Sequence, residues 1–522
     1  MTDAPSLPAY VTKPTGSTLA ELAENAWERV GHESIQIFED QRWTGAELGA
    51  RARRFASGLL RAGLHPGDRV VVCMANCPEV GVAYHGVWWA GGATTPVLFL
   101  LSEPEVAHVL RDSEAAFVVT TPEFLPKVAA AARGIDTVRA IIVVGEVGPT
   151  ADRGTPLLAF ADLEGGDEAP RAVQDSTDLA ALLYTGGTTG RSKGVMISHD
   201  ALSASSWAAT NSSDKDDDLR VALLPLPLSH IYGLMVSVMG LHASVPHNSV
   251  LMRWFDPVGW LRLAQEHKAR VSAVVPSMLQ LLLGQPLEEY DLSAMRKISS
   301  GGAPLPAQVV ADFGQRLPQI EIREGYGCTE SAAIIAVPEP GVYRPGSVGV
   351  PAANVELKIE RADGSTAEAG EDGEICVRGP NLMQGYWHSE EESAHALRGG
   401  WLHTGDIGHQ DPDRHLYVVD RIKDLIIRDG FNVYPRDVEE AMLTHPDVAL
   451  CAVVGRPDER RGEEVVAFVQ LRDGATVTAG ELVDYGRTRL AAVKYPRDVC
   501  IIDSIPLTSV GKLDRKELRK TV

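Results

Sequence analysis

From residue 44 to about 330, short β-branched apolar runs alternate with stretches of helical periodicity, and this alternation constrains the fold more than any other feature. Thr44 and Glu47 have capping-box spacing, and Leu48, Ala52, Phe55 and Leu59 recur behind them at helical intervals. A turn sequence, His65-Pro66-Gly67-Asp68, leads into the strand-like run RVVVCM at 69–74. Repetition of this unit predicts an α/β fold, a parallel sheet covered by helices. From about residue 347 the spacing shortens. Runs at 355–359, 374–377 and 416–419, separated by Gly and Asp turns, predict a smaller antiparallel β-rich unit. After residue 421 comes an αβ stretch of about 100 residues, a size that can fold alone. The expected division is residues 1–420, a hinge at 421–424 and a C-terminal part at 425–522.

Bulk properties exclude several classes. A 522-residue chain that is 44% hydrophobic can bury more than one core. Its net charge of −21 argues against broad nucleic-acid or anionic-membrane binding, both of which need a basic surface. Of the six cysteines only Cys73 and Cys77 are close, with no second pair nearby, so reduced thiols in a cytoplasmic protein are expected. The first 16 residues lack a basic stretch followed by an apolar one, unlike a secretory signal. Apolar regions at 80–101 and 221–245 are interrupted by Pro96 and by Pro225, Pro227 and His230, which predicts buried core rather than membrane spans. The acidic run DKDDD at 214–218 reads as a solvated loop.

The chemistry is most legible at 184–194, YTGGTTGRSKG. Glycines let backbone N–H groups approach phosphate oxygens, threonine hydroxyls add donors or a metal ligand, and Lys193 supplies a point charge. The pattern GxxxxGK[ST] does not fit, because Arg191 and Ser192 stand where it needs the second glycine, so this is a different phosphate loop. A plain flexible linker rarely interleaves Thr, Arg and Lys with its glycines.

At these residues the chain resembles the acyl-activating superfamily of acyl-CoA synthetases, peptide-synthetase adenylation domains and beetle luciferases, most closely a free-standing AMP-forming acyl-CoA synthetase of the 4-coumarate-CoA-ligase-like kind. Ser192 stands where the family usually has proline. The resemblance continues in order through PLSHIYG at 227–233, SGGAPL at 300–305, GYGCTE at 325–330, GEICVRGPNLMQGYW at 373–387, GWLHTGDIG at 400–408, DRIKDLIIRDGFNVYPRDV at 420–438 and PLTSVGKLDRKEL at 506–518. It implies a large N-terminal domain of two αβ lobes plus a β-barrel-like part, and a small mobile αβ C-terminal domain. It also implies ATP, Mg²⁺ and coenzyme A as cofactors and a small carboxylic acid as partner substrate.

Carried onto this sequence, the resemblance implies that Thr185, Gly186, Gly187, Thr188, Thr189 and Gly190 hold phosphate, with Lys193 as the loop's cation. Glu330 and Thr185 would hold the metal, whose hardness suits oxygen ligands. Tyr326, next to Gly327 and Thr329, would stack on adenine, its ring faces left open by Gly325 and Gly327. Gly302, Ala303 and Pro304 would line the adenine edge, Asp406 would accept from the ribose, and Arg421 would be a second ribose or phosphate contact. Lys512 would bridge the acid's carboxylate and the α-phosphate, with Arg515 and Lys516 on a solvated face. Lys423 matches the hinge about which the C-terminal domain swings. Gly430 would give room to the pantetheine arm, and His230 would face the acid or gate the thiol path.

Further departures are Arg428 and Asp429, where many relatives have Ser and Gly and where less backbone freedom is expected, and Arg414-His415, which reads as a surface turn variant. No Asp or Glu occurs between Ala222 and Phe255, which disfavours an amino-acid substrate and favours an acid with an apolar body, walled by Ile231, Tyr232, Met235, Met239 and Gly301. Val522 lies ten residues beyond Lys512, so the acyl acceptor is expected from elsewhere. The expected reaction is formation of acyl-AMP, then of its CoA thioester. The alternatives are an enzyme of one half-reaction that serves a carrier protein or a partner's acyl-AMP, a luciferase-like oxidation and a non-catalytic ligand-binding homologue.

Overall fold

The computed structural model describes residues 16–146, 154–185, 192–211, 220–339, 341–507 and 513–522. Gly186, Gly187, Thr188, Thr189 and Gly190 of the phosphate loop, Lys512 and the acidic run at 214–218 lie outside the described residues.

The helix expected behind Thr44 is Gly45–Arg61. Thr44 Oγ1 accepts from the Glu47 amide at 3.1 Å, and the Glu47 carboxylate accepts from the Thr44 amide at 2.7 Å, so two otherwise orphaned donors are satisfied. Its Ala52, Phe55, Ala56 and Leu59 are buried with the helix Pro78–Trp89, where each large apolar side chain contributes about 1.5–3 kcal/mol.

Two large sheets form the body. One has the order Gly385–Tyr386, Lys193–Ser198, Leu179–Thr185, Ala93–Pro96, Arg69–Cys73, Phe117–Thr120, Ala140–Val143 and Leu157–Ala159. The other runs Glu321–Glu324, Lys297–Ser300, Val271–Val274, Val221–Leu224, Asn248–Leu251, Ile35–Phe38 and Gln41–Thr44. The strands FVVT and AIIV are wholly buried, as continuous β-branched runs in a sheet covered on both faces must be. Most neighbours are parallel, but Leu179–Thr185 pairs antiparallel with Lys193–Ser198. Only residues 186–192 separate them, fewer than the dozen or so that a parallel crossover needs. The phosphate-loop sequence therefore joins the two arms of a hairpin, with Thr185 opposite Lys193.

The antiparallel unit is the four-stranded sheet Glu356–Glu360, Gly373–Arg378, Leu402–Gln410 and Leu416–Arg421. Beyond it, Phe431–Val433, Ile426–Arg428, Gly462–Leu471 and Val448–Asp458 form an antiparallel ladder, and Asp498–Ile501 adds parallel to Gly462–Leu471. Both long apolar regions of the sequence are internal, and no helix among the described residues is long and apolar enough to cross a membrane.

Three expectations change here. Asp429 and Gly430 adopt φ of +51° and +80° as the two-residue turn between Arg428 and Phe431, so the Asp-Gly pair supplies the left-handed turn directly. Arg414 is exposed with φ +70°, but His415 is buried, its Nε2 3.2 Å from Glu339 Oε2, so only half of that pair is a surface turn. Arg515 is not on a solvated face. Its Nη2 lies 2.8 Å from both oxygens of Glu439, a buried carboxylate that needs a cation.

Arg428 is fully buried: Nη2 donates to Glu464 Oε2 at 3.2 Å, Nε lies 3.1 Å from Oε1, and Nη1 donates to the Val493 carbonyl at 3.1 Å. Arg428→Ser leaves Glu464 buried without its cation and is expected to cost about 3–5 kcal/mol. Chemical denaturation checks this, with recovery expected when Glu464→Gln is added. An unchanged midpoint in the single variant would contradict it.

Candidate active site

The site is built where the two large sheets and the antiparallel unit meet. Tyr326 follows the strand Glu321–Glu324, its amide donating to the Ala336 carbonyl at 3.1 Å and its carbonyl accepting from Ile335 at 2.8 Å. A Cβ on Gly327 would sit 1.8 Å from the Ala333 carbonyl oxygen, so that glycine is there for close backbone approach rather than to clear the ring faces of Tyr326. The Asn381 amide nitrogen locks the same loop from below, donating to the carbonyls of Ser331 at 3.2 Å and Ile334 at 2.6 Å.

Three of the expected residues meet directly. Tyr326 Oη donates to Asp406 Oδ2 at 2.6 Å, and Arg421 Nε lies 3.0 Å from Asp406 Oδ1. Asp406 and Arg421 are register partners on adjacent strands, so the ladder itself sets their pairing. Asp406 is 5% exposed, whereas the Arg421 side chain is 48% exposed and open to a ligand. Burial and the neighbouring Asp406 hold the Tyr326 hydroxyl well above its ordinary pKa, so it remains a donor.

The turn before Asp406 is braced by Glu374, which accepts from the Gly405 amide at 3.2 Å and lies 2.9 Å from both Arg398 Nη2 and His403 Nδ1. Cys376 Sγ is 3.3 Å from His403 Nδ1, and Glu360 stands nearby, a donor set suggestive of a metal. Lys358 and Arg398 already pair with the two carboxylates, and burial pushes the Cys376 thiol up to about 12. The cluster is a charge-balanced brace for the Asp406 turn.

Around the phosphate hairpin, Lys193 Nζ pairs with Glu392 Oε1 at 2.5 Å and lies 5.3 Å from the Tyr386 ring centroid. Tyr386 Oη donates to Glu330 Oε1 at 3.0 Å, which links Lys193 and Glu330 through one aromatic side chain. The flanks of the hairpin are tethered to the helix Glu103–Asp112. Tyr184 Oη donates to Asp112 Oδ2 at 2.6 Å, and His108 Nε2 contacts the Ser192 carbonyl at 2.9 Å. Thr329 shares the short 3₁₀ turn Thr329–Ser331 with Glu330.

A cavity of about 870 Å³ opens beside Tyr326, Gly327, Thr329, Gly301 and Gly302 and is walled by His230, Ile231, Tyr232, Met235 and Met239. Gly302 has φ +81°, and a Cβ on Gly301 would press the Tyr232 ring at 3.3 Å. Ala303 and Pro304 continue the segment, Pro304 exposed. His230 caps the helix Ile231–Met239, its Nδ1 accepting from the Tyr232 amide at 3.3 Å, which leaves Nε2 as the proton-bearing nitrogen of the neutral ring. No Asp or Glu lines this cavity among the described residues.

Family comparison agrees with this arrangement. Residues 22–387 match the model of the AMP-binding enzymes and residues 437–512 that of the AMP-binding enzyme C-terminal domain. The chain is 33% identical to a long-chain-fatty-acid–CoA ligase of Bacillus subtilis (strain 168), with 96% of this chain and 94% of the relative covered. It belongs to the adenylate-forming acyl-CoA ligase family of AMP-binding enzymes. A feruloyl-CoA synthase of an Amycolatopsis species is 36% identical over 91% of this chain and 93% of its own. Among solved structures, the anthranilate CoA ligase AuaEII in complex with anthranoyl-AMP superposes with a TM-score of 0.90 at 25% identity, covering 99% of this chain and 98% of that one.

The ligase has site residues that its sequence did not single out. Tyr386 and Glu374 stand in a recognisable string without an assigned role, and Glu392 carries no signal of its own. Asn76 joins the sheets, its Nδ2 donating to the Leu226 and Met252 carbonyls at 2.8 and 3.0 Å and its Oδ1 accepting from Leu228 at 2.8 Å. These contacts fix the segment that ends at His230. They are 150 or more residues away along the chain, beyond any local pattern.

Past Arg421, the Asp420 carboxylate accepts from the Arg436 amide at 2.9 Å, capping the helix Pro435–Leu443. Lys423 is exposed in the turn Ile422–Asp424, and Gly430 is exposed with open space where a Cβ would be. Glu324, two residues before Tyr326, accepts from the Leu305 amide at 3.0 Å. Burial pushes its carboxyl up to about 7, helped by Glu440 and opposed by Arg436 and the Leu305 amide. The unfolded carboxyl titrates near 4.5. Between those values the folded chain keeps a proton that the unfolded chain has released, so stability falls as pH rises through this window. Glu324→Gln is expected to flatten that fall, as read from denaturation midpoints between about pH 4.5 and 7. A wild-type midpoint that rises through the window relative to the variant would contradict the assignment.

Proposed function

We propose that the ligase activates an apolar carboxylic acid to its acyl-AMP and passes the acyl group to coenzyme A, with residues 1–420, a hinge at 421–424 and residues 425–522 as its working parts. The observation that carries this reading is the Tyr326–Asp406–Arg421 constellation beside a cavity with no acidic lining among the described residues. An ammonium-bearing substrate would lack a counter-charge there, whereas an apolar body would be well accommodated.

In the first step an oxygen of the carboxylate attacks the α-phosphorus of ATP and the bond to pyrophosphate breaks. Tyr326 with Gly302, Ala303 and Pro304 holds the adenine, Asp406 accepts from the ribose, and Arg421 meets a ribose or phosphate oxygen. Thr185, the loop at 186–190 and Lys193 hold the polyphosphate, for which Lys193 exchanges Glu392 for a stronger anionic partner. Glu330 and Thr185 would offer the hard oxygens that Mg²⁺ prefers, a reading supported by Glu330 acting as an acceptor for the Tyr386 hydroxyl. That ion, when bound, neutralises polyphosphate charge. Lys512 bridges the carboxylate and α-phosphate as charge develops. In the second step the thiol sulfur bonds to the acyl carbon, AMP leaves and the thiol proton passes to solvent. Rotation about Lys423 withdraws Lys512 first, and Gly430 and His230 border the thiol's path.

The test is pyrophosphate exchange with Mg·ATP across fatty and aromatic acids, repeated with coenzyme A and with synthetic acyl-AMPs. Acid-dependent exchange and thioester formation are expected. Conversion of acyl-AMP without exchange for any acid would overturn the adenylating half and leave an enzyme of the second half-reaction.

A further inference from the structure

The cavity takes in both the Tyr326–Gly302 end and a region well beyond it. From the Tyr326 end its lining continues past His230 and Tyr232 to Trp27, Gly81, His85 and Trp88, between the helices Leu19–Val30, Gly45–Arg61 and Pro78–Trp89. The helix Pro78–Trp89 is otherwise core, and its other polar tips have partners. Glu79 pairs with Arg51 at 2.7 Å, Tyr84 Oη donates to the Leu228 carbonyl at 3.2 Å, and Trp88 and Trp89 donate to the Ala180 and Ala169 carbonyls, both at 2.8 Å. His85 differs. Its Nδ1 is buried with no hydrogen-bond partner among the described residues.

The ring is nevertheless held in one plane. Trp27 and Trp88 meet it edge-on, with centroids 5.5 and 5.2 Å away. Trp27 is itself fixed, because a Cβ on Gly49 would lie 2.5 Å from its ring and Arg53 lies over its face at 5.4 Å. Burial holds the imidazole neutral, pushing it down to about 4, so the group offers one donor and one acceptor rather than a charge. Nδ1 itself is sealed from the cavity, so a ligand meets the part-exposed side of the ring that lines it.

We propose that this end of the cavity is the distal subsite for the acid, and that His85 selects acids whose far end carries a hydroxyl or similar hydrogen-bonding group. This rests on the adenylating reading above. Trp27 and Trp88 fix the imidazole, the apolar walls take the body of the acid, and the imidazole meets the terminal hydroxyl, while the carboxylate lies at the Gly302 end. A neutral imidazole discriminates by hydrogen bonding, so a matched hydroxyl is preferred over hydrogen.

The experiment is pyrophosphate exchange with saturated acids from octanoate to hexadecanoate, each beside its ω-hydroxy counterpart. Wild-type enzyme is expected to favour the hydroxy acid about tenfold in kcat/KM at the chain length that reaches His85, chiefly through KM. His85→Phe is expected to abolish that preference with the unsubstituted acids still used, and His85→Gln, which keeps a donor and an acceptor, to retain part of it. His85→Gln is also the readout if His85→Phe fails to fold. Exchange without an ω-hydroxy preference at any length, or a preference unchanged in both variants, would overturn the subsite and leave adenylation intact. Exchange with no acid at all would overturn both.

Discussion

Lys512→Ala is expected to lower acid-dependent pyrophosphate exchange by about 10²–10³-fold while conversion of synthetic acyl-AMP to thioester falls only a few-fold. The asymmetry follows from charge. Adenylation brings a carboxylate onto an already anionic phosphate, and a cation between the two is worth most as that charge concentrates. Thioester formation begins from an acyl-AMP whose carbonyl is already activated, and a lysine at the same carbonyl would obstruct the thiol. Equal losses in the two assays would refute the assigned role.

Asp406→Ala is expected to raise the KM for ATP by at least about 10²-fold and to weaken AMP binding in parallel. Two partners lose their acceptor together, the Tyr326 hydroxyl at 2.6 Å and the Arg421 guanidinium at 3.0 Å, in addition to the proposed ribose contact. Tyr326→Phe separates these contributions, because it removes the hydroxyl and keeps the ring. Its effect on KM is expected to be about tenfold, the lower end for one hydrogen bond to a charged acceptor. Calorimetric titration with AMP checks both, and an Asp406→Ala variant that binds AMP like wild type would exclude Asp406 from the nucleotide site.

What could be read from the sequence depended on the reach of the interaction. The helix behind Thr44 was legible because its cap is made by residues three apart, and the buried strands because β-branched runs need no distant partner. Asp406 reads in sequence as a ribose contact and Arg421 as a second ribose or phosphate contact, and only the structure shows that the two side chains meet. Arg515 looked like a solvated charge because its partner, Glu439, stands 76 residues away, and Arg428 resembled a loop substitution because Glu464 is not its neighbour in sequence. His415 was half of a turn by pattern, but tertiary packing against Glu339 buries it. Gly327 reads in sequence as clearance for the Tyr326 ring for a similar reason. The backbone that excludes a side chain there belongs to Ala333, brought close by a loop containing two left-handed alanines. Local rules thus reach the elements and single out charged residues, while long-range packing decides which charges are braced.

The central claim is that the acid is activated as its acyl-AMP. Single-turnover incubation of the enzyme with Mg·ATP, coenzyme A and an acid labelled with heavy oxygen in its carboxylate tests this most directly. Transfer of one labelled oxygen to AMP, with none in pyrophosphate and one acyl-CoA formed per AMP, is the predicted result. Unlabelled AMP, or label appearing in inorganic phosphate alongside ADP, would contradict it.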